Sequence, residues 1–268
     1  MLFDSPMALI RALLARDRLL TRTALAMIAG AVVVAAIAPF DTRLITGINP
    51  WIKPLKFLVS IAIFLATMAW LMPEVDAAPQ WRRRLARVFA GAMILEMLCI
   101  AAQAARGTTS HFNYSTTVDA VIFQIMGIAI TANTVAAAVM LRRLRRDPPA
   151  ARSGYLWGVR LGLALFVLGS AQGFVMVANM GHAVPGPDGG PGLPFINWAL
   201  DRGDLRIAHF IGLHALQALP LLGFVLDTNG MMSPGARRGV VATAALAWAG
   251  VMVATLVLAL RGLPVLAQ

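Results

Sequence analysis

The chain has 268 residues, of which 59% are hydrophobic and 13% are charged, and its mean hydropathy is +0.75. A soluble domain carries about 25% charged residues, so this composition excludes an ordinary soluble domain and predicts an integral membrane protein. The net charge of +11 does not indicate nucleic-acid binding, because the arginines cluster at the ends of apolar segments, as topology signals do. We therefore expect the lipid bilayer as the main partner, and the sequence points to no soluble partner.

The first residues predict a short helix on the membrane surface. Ser5 followed by Pro6 is typical of an N-cap and a first helical position. Residues 6–21 then place arginines near one face and leucines elsewhere, which favours an amphipathic helix. We expect residues 1–22 to form this interfacial element. Charged residues such as Asp4 interrupt the apolar stretch that a cleavable signal peptide needs.

Seven apolar segments follow, and each is about as long as the 20 residues that a helix needs to cross the bilayer. No connector is long enough to form a separate soluble domain. The sequence therefore predicts an all-α membrane protein, a seven-transmembrane-helix bundle forming a single domain over residues 23–268. The predicted spans are residues 23–40, 54–72, 87–105, 118–141, 156–180, 205–226 and 239–260.

The orientation is predicted from the basic residues. Sixteen of the 23 arginines and lysines lie on one side of the predicted spans and seven on the other. By the positive-inside rule the amino terminus is cytoplasmic and the carboxyl terminus extracytoplasmic. The cytoplasmic set includes Arg146, and the outer set is Arg43, Lys53, Lys56, Arg106, Arg202, Arg206 and Arg261.

The third span carries the one carboxylate placed well inside a predicted span. Glu96, Cys99, Gln103 and Arg106 follow one another at spacings of 3, 4 and 3, which places them along one helical stripe. Ten residues at the helical rise put Glu96 roughly 15 Å below Arg106. A carboxylate at that depth is expected to be protonated, paired with a base or bound to a cation.

The sixth span carries His209, His214 and Gln217 on one broad polar face. His214 lies roughly 12 Å deeper than Arg206, close to the level expected for Glu96. We therefore predict a contact between Glu96 and His214, and this pair is the candidate catalytic centre. A histidine bonded to a neighbouring hydroxyl or carbonyl is the structural alternative.

Polar residues on five spans reach a comparable depth, which favours one polar cavity open to the extracytoplasmic side. Simple contacts between helices, and lysines that reach toward the head groups, are the alternatives. The candidate ligand-binding residues are Lys53, Lys56, Gln103, Arg106, Asn113, Gln124, Gln172, Asn179, Arg206 and Gln217.

Two outer connectors have unusual compositions. Residues 106–117 are dense in hydroxyl groups and contain His111, while residues 181–194 hold five glycines and four prolines. The second connector cannot cross the membrane and is interpreted either as a lid over the cavity or as a plain flexible loop.

The first functional hypothesis is a metal-dependent enzyme that acts on a lipid or another amphiphilic substrate. Histidine and carboxylate ligands suit zinc, iron or copper, and the candidate ligands are Glu96, His111, His209 and His214. The chain has no HExxH motif, and its single cysteine excludes a CxxC motif. The cofactor stays open, with a divalent metal favoured over a haem.

Two further hypotheses stay open. The arginines and lysines of the outer side suit a transporter or receptor that binds a small anionic or amphiphilic ligand. Histidine and glutamate also suit redox work with a single haem or a quinone. In each case we expect a multi-pass protein of a bacterial inner membrane whose functional face is extracytoplasmic.

Overall fold

The computed structural model of the protein describes residues 5–145 and 149–265, so Arg146 and both chain ends lie outside it. Most of the described chain is helical, and short 3₁₀ turns follow the second and third helices and precede the sixth. The elements are α1 (Pro6–Arg16), α2 (Arg18–Ile37), α3 (Ile52–Leu71), α4 (Pro79–Arg106), α5 (Thr117–Arg142), α6 (Ser153–Asn179), β1 (Ala183–Val184), β2 (Gly203–Asp204), α7 (Leu205–Asn229) and α8 (Pro234–Leu260).

Within the described ranges, seven helices are long and apolar enough to cross a membrane. They are α2 to α8, and each predicted span coincides with one of them. The all-α prediction with seven apolar helices is therefore confirmed. The helix α1 begins where the sequence predicts, because the Ser5 hydroxyl accepts a hydrogen bond from the Ala8 amide at 3.1 Å. Its position on the membrane surface stays a prediction.

The chain divides into two compact units, unit 1 (Met1–Ala136) and unit 2 (Ala137–Gln268), and α5 contributes residues to both. In unit 1, α2, α3 and α4 pack against one another, and Leu65, Met68 and Phe89 are fully buried between them. The helix α1 is tied to the end of α3, since the Arg16 guanidinium donates to the Trp70 carbonyl at 2.8 Å.

Unit 2 is built on an unusually close contact between α6 and α7. Gly158 faces the α7 backbone so closely that an added Cβ atom would lie 2.3 Å from the Leu219 carbonyl oxygen. At the Gly169 position an added Cβ would lie 2.7 Å from the Gly212 Cα atom. Small residues that let two backbones touch are a common way for membrane helices to associate. The connector between α6 and α7 is closed by the antiparallel pair β1 and β2.

Candidate functional site

Glu96 lies in α4 and is almost completely buried, with 3% of its surface exposed. One carboxylate oxygen, Oε1, lies 3.6 Å from Nε2 of His111. The other oxygen, Oε2, is buried and has no hydrogen-bond partner within the described protein. An unmet buried acceptor costs roughly 1–3 kcal/mol and more when it is charged, so this oxygen is the most unusual polar atom of unit 1.

His111 links Glu96 to a lysine at the start of α3. Its Nδ1 atom lies 3.1 Å from Lys53 Nζ and 3.0 Å from Ser110 Oγ. A lysine ammonium can only donate, so Nδ1 acts as the acceptor and the ring proton is assigned to Nε2, the side that faces Glu96. Lys53 also interacts electrostatically with Glu96. Lys53, His111 and Glu96 therefore form one chain of ionisable groups, called here the Glu96 relay.

Aromatic rings surround the histidine of the relay. The ring centroids of Phe57 and Phe112 lie 6.0 Å from that of His111, and the Phe123 centroid lies at 6.1 Å. Tyr114 extends the group, 5.7 Å from Phe123, and is half exposed. These rings come from α3, the 107–116 loop and α5, and they give the relay an apolar wall.

The loop before α5 is held in place by the buried carboxylate of Asp119. Its Oδ1 atom accepts from Gln103 at 2.8 Å and from Arg106 at 2.6 Å, and its Oδ2 atom accepts from the Thr116 hydroxyl at 2.7 Å. Thr116 in turn accepts from the Asp119 amide at 3.1 Å, which is a helix N-cap with a reciprocal acid three residues later. Asn113 closes the same loop by donating to Thr108 Oγ1 and to the Thr109 carbonyl, both at 2.9 Å.

The loop thereby folds back along α4. Glu96 lies ten residues before Arg106, roughly 15 Å along the helix axis, yet His111 comes within 3.6 Å of it. The sequence pattern predicts a functional loop but not this return of the chain. The sequence signal for this return of the chain is the capping pattern of Thr116 and Asp119. It fixes where α5 begins and therefore limits the length of the loop.

The histidines of α7 are engaged by backbone carbonyls within unit 2. His209 Nδ1 lies 2.7 Å from the Gly169 carbonyl oxygen, and His214 Nδ1 lies 2.8 Å from that of Phe210. The His214 ring also stacks on Phe210 with a centroid distance of 3.8 Å. Glu96 belongs to unit 1 and His214 to unit 2, and their predicted contact stays a prediction.

The remaining candidate residues of unit 2 have hydrogen-bond partners close by. Arg206 binds both carboxylate oxygens of the fully buried Asp204. Asn179 donates to the Gly181 and Ala183 carbonyls at 3.2 Å and 3.0 Å. Gln172 donates to the Leu205 carbonyl at 3.2 Å, while its own buried amide oxygen has no partner within the described protein.

Three further candidate ligand-binding residues lie outside the contacts described above. Gln124 is exposed on α5, whereas Lys56 and Gln217 are half-buried on α3 and α7. Asn113 and Arg106, which the sequence places among the ligand-binding residues, are used within unit 1 to hold the loop. Each of these assignments to a ligand stays a prediction.

The connector between α6 and α7 contains a second pairing of histidine and carboxylate. The Asp188 carboxylate is bonded to the His182 ring and accepts from the His182 and Ala183 amides at 2.7 Å and 3.0 Å. Burial alone would raise the pKa of Asp188, but these bonds and the charge of His182 outweigh it and hold the pKa well below its usual value. This pair fixes the start of the connector beside β1.

No three residues among His, Cys, Asp and Glu come together to form a metal site in residues 5–145 and 149–265. The candidate ligands Glu96 and His111 do lie together, but as a pair. The metal hypothesis therefore gains no support from the arrangement of the described side chains.

The seven apolar helices and their exposed hydrophobic side chains define the class of the molecule: it is a multi-pass integral membrane protein in contact with lipid. No protein-family model matches the chain, and no curated protein and no solved structure matches it either. Its function therefore has to be argued from the site itself.

Proposed function

We propose that the protein binds an amphiphilic molecule from the membrane at the Glu96 relay and exchanges a proton with its head group. The observation that carries this proposal is the unmet Oε2 atom of Glu96, buried in the helical core of unit 1. Ionisable residues at membrane depth are costly and mark functional sites by default. Oε2 has almost no exposed surface, so the side chains around it have to move aside to admit the bound molecule, whose hydrogen-bond donor would then supply the partner that the protein itself does not.

Each member of the relay has a distinct role in this proposal. Glu96 accepts the proton from the head group, because its free oxygen is the atom that lacks a donor. His111 stands between Glu96 and Lys53 and has a nitrogen facing each, and its Nε2 proton, on the side of the carboxylate, stabilises the ionised Glu96 that takes up the proton. Lys53 balances the charge of Glu96 when the carboxylate is ionised.

An amphiphile fits this site better than a small polar solute. Binding sites are mostly apolar, with a small number of placed polar groups that orient the ligand. Phe57, Phe112 and Phe123 provide the apolar part, and the relay provides the polar groups. The acid–base site needs no metal to work, although a metal-dependent enzyme acting on the same substrates is compatible with it.

The orientation and location form part of the proposal. The distribution of 16 basic residues against seven supports a cytoplasmic amino terminus and an outward-facing relay. The location that we propose is a bacterial inner membrane. A reporter enzyme active only outside the cytoplasm, fused to the carboxyl terminus, tests this orientation. Activity of a cytoplasm-specific reporter at that position would overturn it.

The functional test measures binding of amphiphiles with different head groups to the purified protein in phosphatidylcholine nanodiscs. Dodecanol, 4-dodecylphenol and dodecanoic acid are titrated calorimetrically, and the difference absorption of the bound phenol reports whether its hydroxyl proton moves toward Glu96. We expect at least one of them to bind, and Glu96→Gln to weaken that binding about tenfold and to reduce the absorption change of the phenol.

The matched control is Asn133→Leu. Asn133 is also buried in unit 1 and also has an unmet side-chain oxygen, but it lies outside the relay. This variant should bind as the native protein does. If Glu96→Gln alters the binding of none of the three amphiphiles, the proposed function is wrong.

One observation favours redox work with a single haem as a second candidate. His209 and His214 each have Nδ1 next to a backbone carbonyl, the arrangement that orients a histidine whose Nε2 atom binds a metal. The visible spectrum of the purified protein tests this candidate. A Soret band that His209→Ala removes would support it, and its absence from protein made in haem-replete cells would reject it.

A further inference from the structure

The polar and apolar groups around Glu96 together restrict the chemistry of the ligand. The Lys53 ammonium lies 3.1 Å from Nδ1 of His111, and the guanidinium of Arg106 is held by Asp119 at 2.6 Å. Both cations thus already have a partner within unit 1. The unmet group is an acceptor, Glu96 Oε2, so it is a donor and not an anion that this position lacks.

The apolar wall is aromatic rather than aliphatic where it meets the relay. Three phenylalanine rings lie 6.0–6.1 Å from the ring of His111, and Tyr114 continues the group to a half-exposed position. Aromatic rings attract other rings in edge-to-face or offset geometry, which contributes about 0.5–1.5 kcal/mol per pair beyond burial. A flat ring carried by the ligand would add to this group.

We infer that the molecule bound at the Glu96 relay is a neutral amphiphile whose head group is a hydroxylated aromatic ring, as in an alkylphenol or a hydroquinone with a hydrocarbon tail. This inference rests on the proposed function and specifies its substrate class. The ring hydroxyl donates to Glu96 Oε2, the ring packs beside Phe57, Phe112 and Phe123, and the tail stays in the lipid.

An aromatic hydroxyl satisfies the site better than an aliphatic one. A phenol has a pKa of about 10, far more acidic than an alkyl alcohol, so its hydrogen bond to a carboxylate is stronger. An aliphatic alcohol would donate a hydrogen bond to the same oxygen but would provide no ring to pack beside the three phenylalanines.

The experiment compares four probes that share one dodecyl tail: 4-dodecylphenol, its methyl ether 4-dodecylanisole, dodecanol and dodecyl phosphate. Each is titrated into the native protein in phosphatidylcholine nanodiscs, with empty nanodiscs subtracted. We expect the phenol to bind about tenfold more tightly than either the ether, which lacks the donor, or the alcohol, which lacks the ring.

These comparisons use the native protein, so they stand even if a variant fails to fold. In Glu96→Gln the preference for the phenol over its ether should disappear, whereas Asn133→Leu should keep it. Equal binding of phenol and ether by the native protein would overturn the inference, as would a preference for dodecyl phosphate.

The outcomes also separate the inference from the proposed function. Tight, Glu96-dependent binding of dodecanol or of dodecyl phosphate in place of the phenol would reject the aromatic head group and leave the proton-exchanging site in place. Binding of every probe without dependence on Glu96 would reject both.

Discussion

The two units of the protein use polar residues in membrane helices in opposite ways. In unit 1, groups from α3, α4 and the following loop converge on Glu96 and still leave one of its oxygens unmet. In unit 2, Nδ1 of His209 and Nδ1 of His214 each meet a backbone carbonyl of their own unit. Gln172 keeps one unmet oxygen there and Arg237 one unmet nitrogen, but a neutral amide costs less to bury than a carboxylate, and the charge of Arg237 is balanced by Asp227 at 3.2 Å. An ionisable residue in a membrane span therefore indicates function only where one of its hydrogen-bonding atoms is left without a partner in the protein.

The largest effect is expected where unit 2 depends on backbone contact. In Gly158→Ala the new Cβ would lie 2.3 Å from the Leu219 carbonyl oxygen and 2.9 Å from the Pro220 Cα atom. Backbone atoms cannot move aside as a flexible side chain can, so α6 and α7 must separate. We expect a loss of about 3 kcal/mol or more in the free energy of unfolding, measured by tryptophan fluorescence during unfolding in detergent.

Gly239→Ala is the control for this substitution. No atom lies within 4 Å of an added Cβ at Gly239 in α8, so the variant should be unchanged or stabilised by up to about 1 kcal/mol. Equal stability of Gly158→Ala and Gly239→Ala would show that the close packing of α6 and α7 is not what holds unit 2 together.

We expect a smaller loss of stability from Asp119→Ala in unit 1. This change removes the acceptor shared by Gln103, Arg106 and Thr116, and the loop that presents His111 loses its anchor. We expect a lower unfolding temperature and faster hydrogen exchange of the 107–116 loop. The control is Asp201→Asn, whose exposed carboxylate bonds to its sequence neighbour Arg202, and it should leave both measurements unchanged. Unchanged exchange in Asp119→Ala would contradict the anchoring role.

The seven apolar helices could be predicted from the sequence because span length and hydropathy depend on local composition. The stripe of Glu96, Gln103 and Arg106 was equally local, since it follows from helical spacing. The partner of Glu96 within unit 1 could not be found in this way. His111 lies in a connector beyond the end of the third span, so helical spacing gives no estimate of its depth. What fixes that loop is the set of bonds to Asp119, which Gln103 and Arg106 donate from the end of the preceding helix.

The substitution Glu96→Leu separates the contribution of Glu96 to stability from its contribution to ligand binding. In Glu96→Leu a buried carboxylate with an unmet oxygen is replaced by an apolar side chain of similar size. We expect the free energy of unfolding to change by about 1 kcal/mol or less, because removal of the unmet oxygen is offset by the loss of the charge that balances Lys53. Ligand binding should nevertheless be lost in the same variant.

Gln172→Leu in unit 2 is the comparison for that result. It removes one unmet oxygen but also the bond to the Leu205 carbonyl, so the two effects should nearly cancel. If Glu96→Leu destabilised the protein by several kcal/mol, Glu96 would be a structural residue, and the contrast between the two units would lose its basis.

The smallest effect is a pH dependence confined to unit 2. Burial opposes ionisation of Asp188, but its bonds to His182 and to the Ala183 amide hold the pKa well below that of an unfolded aspartate. A carboxyl group with a lowered pKa in the folded state stabilises fully above the unfolded value of about 3.9, and this stabilisation is lost as the pH falls through the folded value. We expect the stabilisation lost at low pH to be only about 1 kcal/mol, because the pair of His182 and Asp188 is partly open to solvent and its interaction is therefore screened.

Hydrogen exchange at the Ala183 amide measures this loss, since that amide donates to Asp188. After correction for the intrinsic rate, its protection should fall below about pH 4, while amides of α6 keep theirs. Asp188→Asn should show reduced protection at every pH and no such step. A step at the same pH in this variant would assign the titration to another group, and the connector would then be held by contacts other than the Asp188 carboxylate.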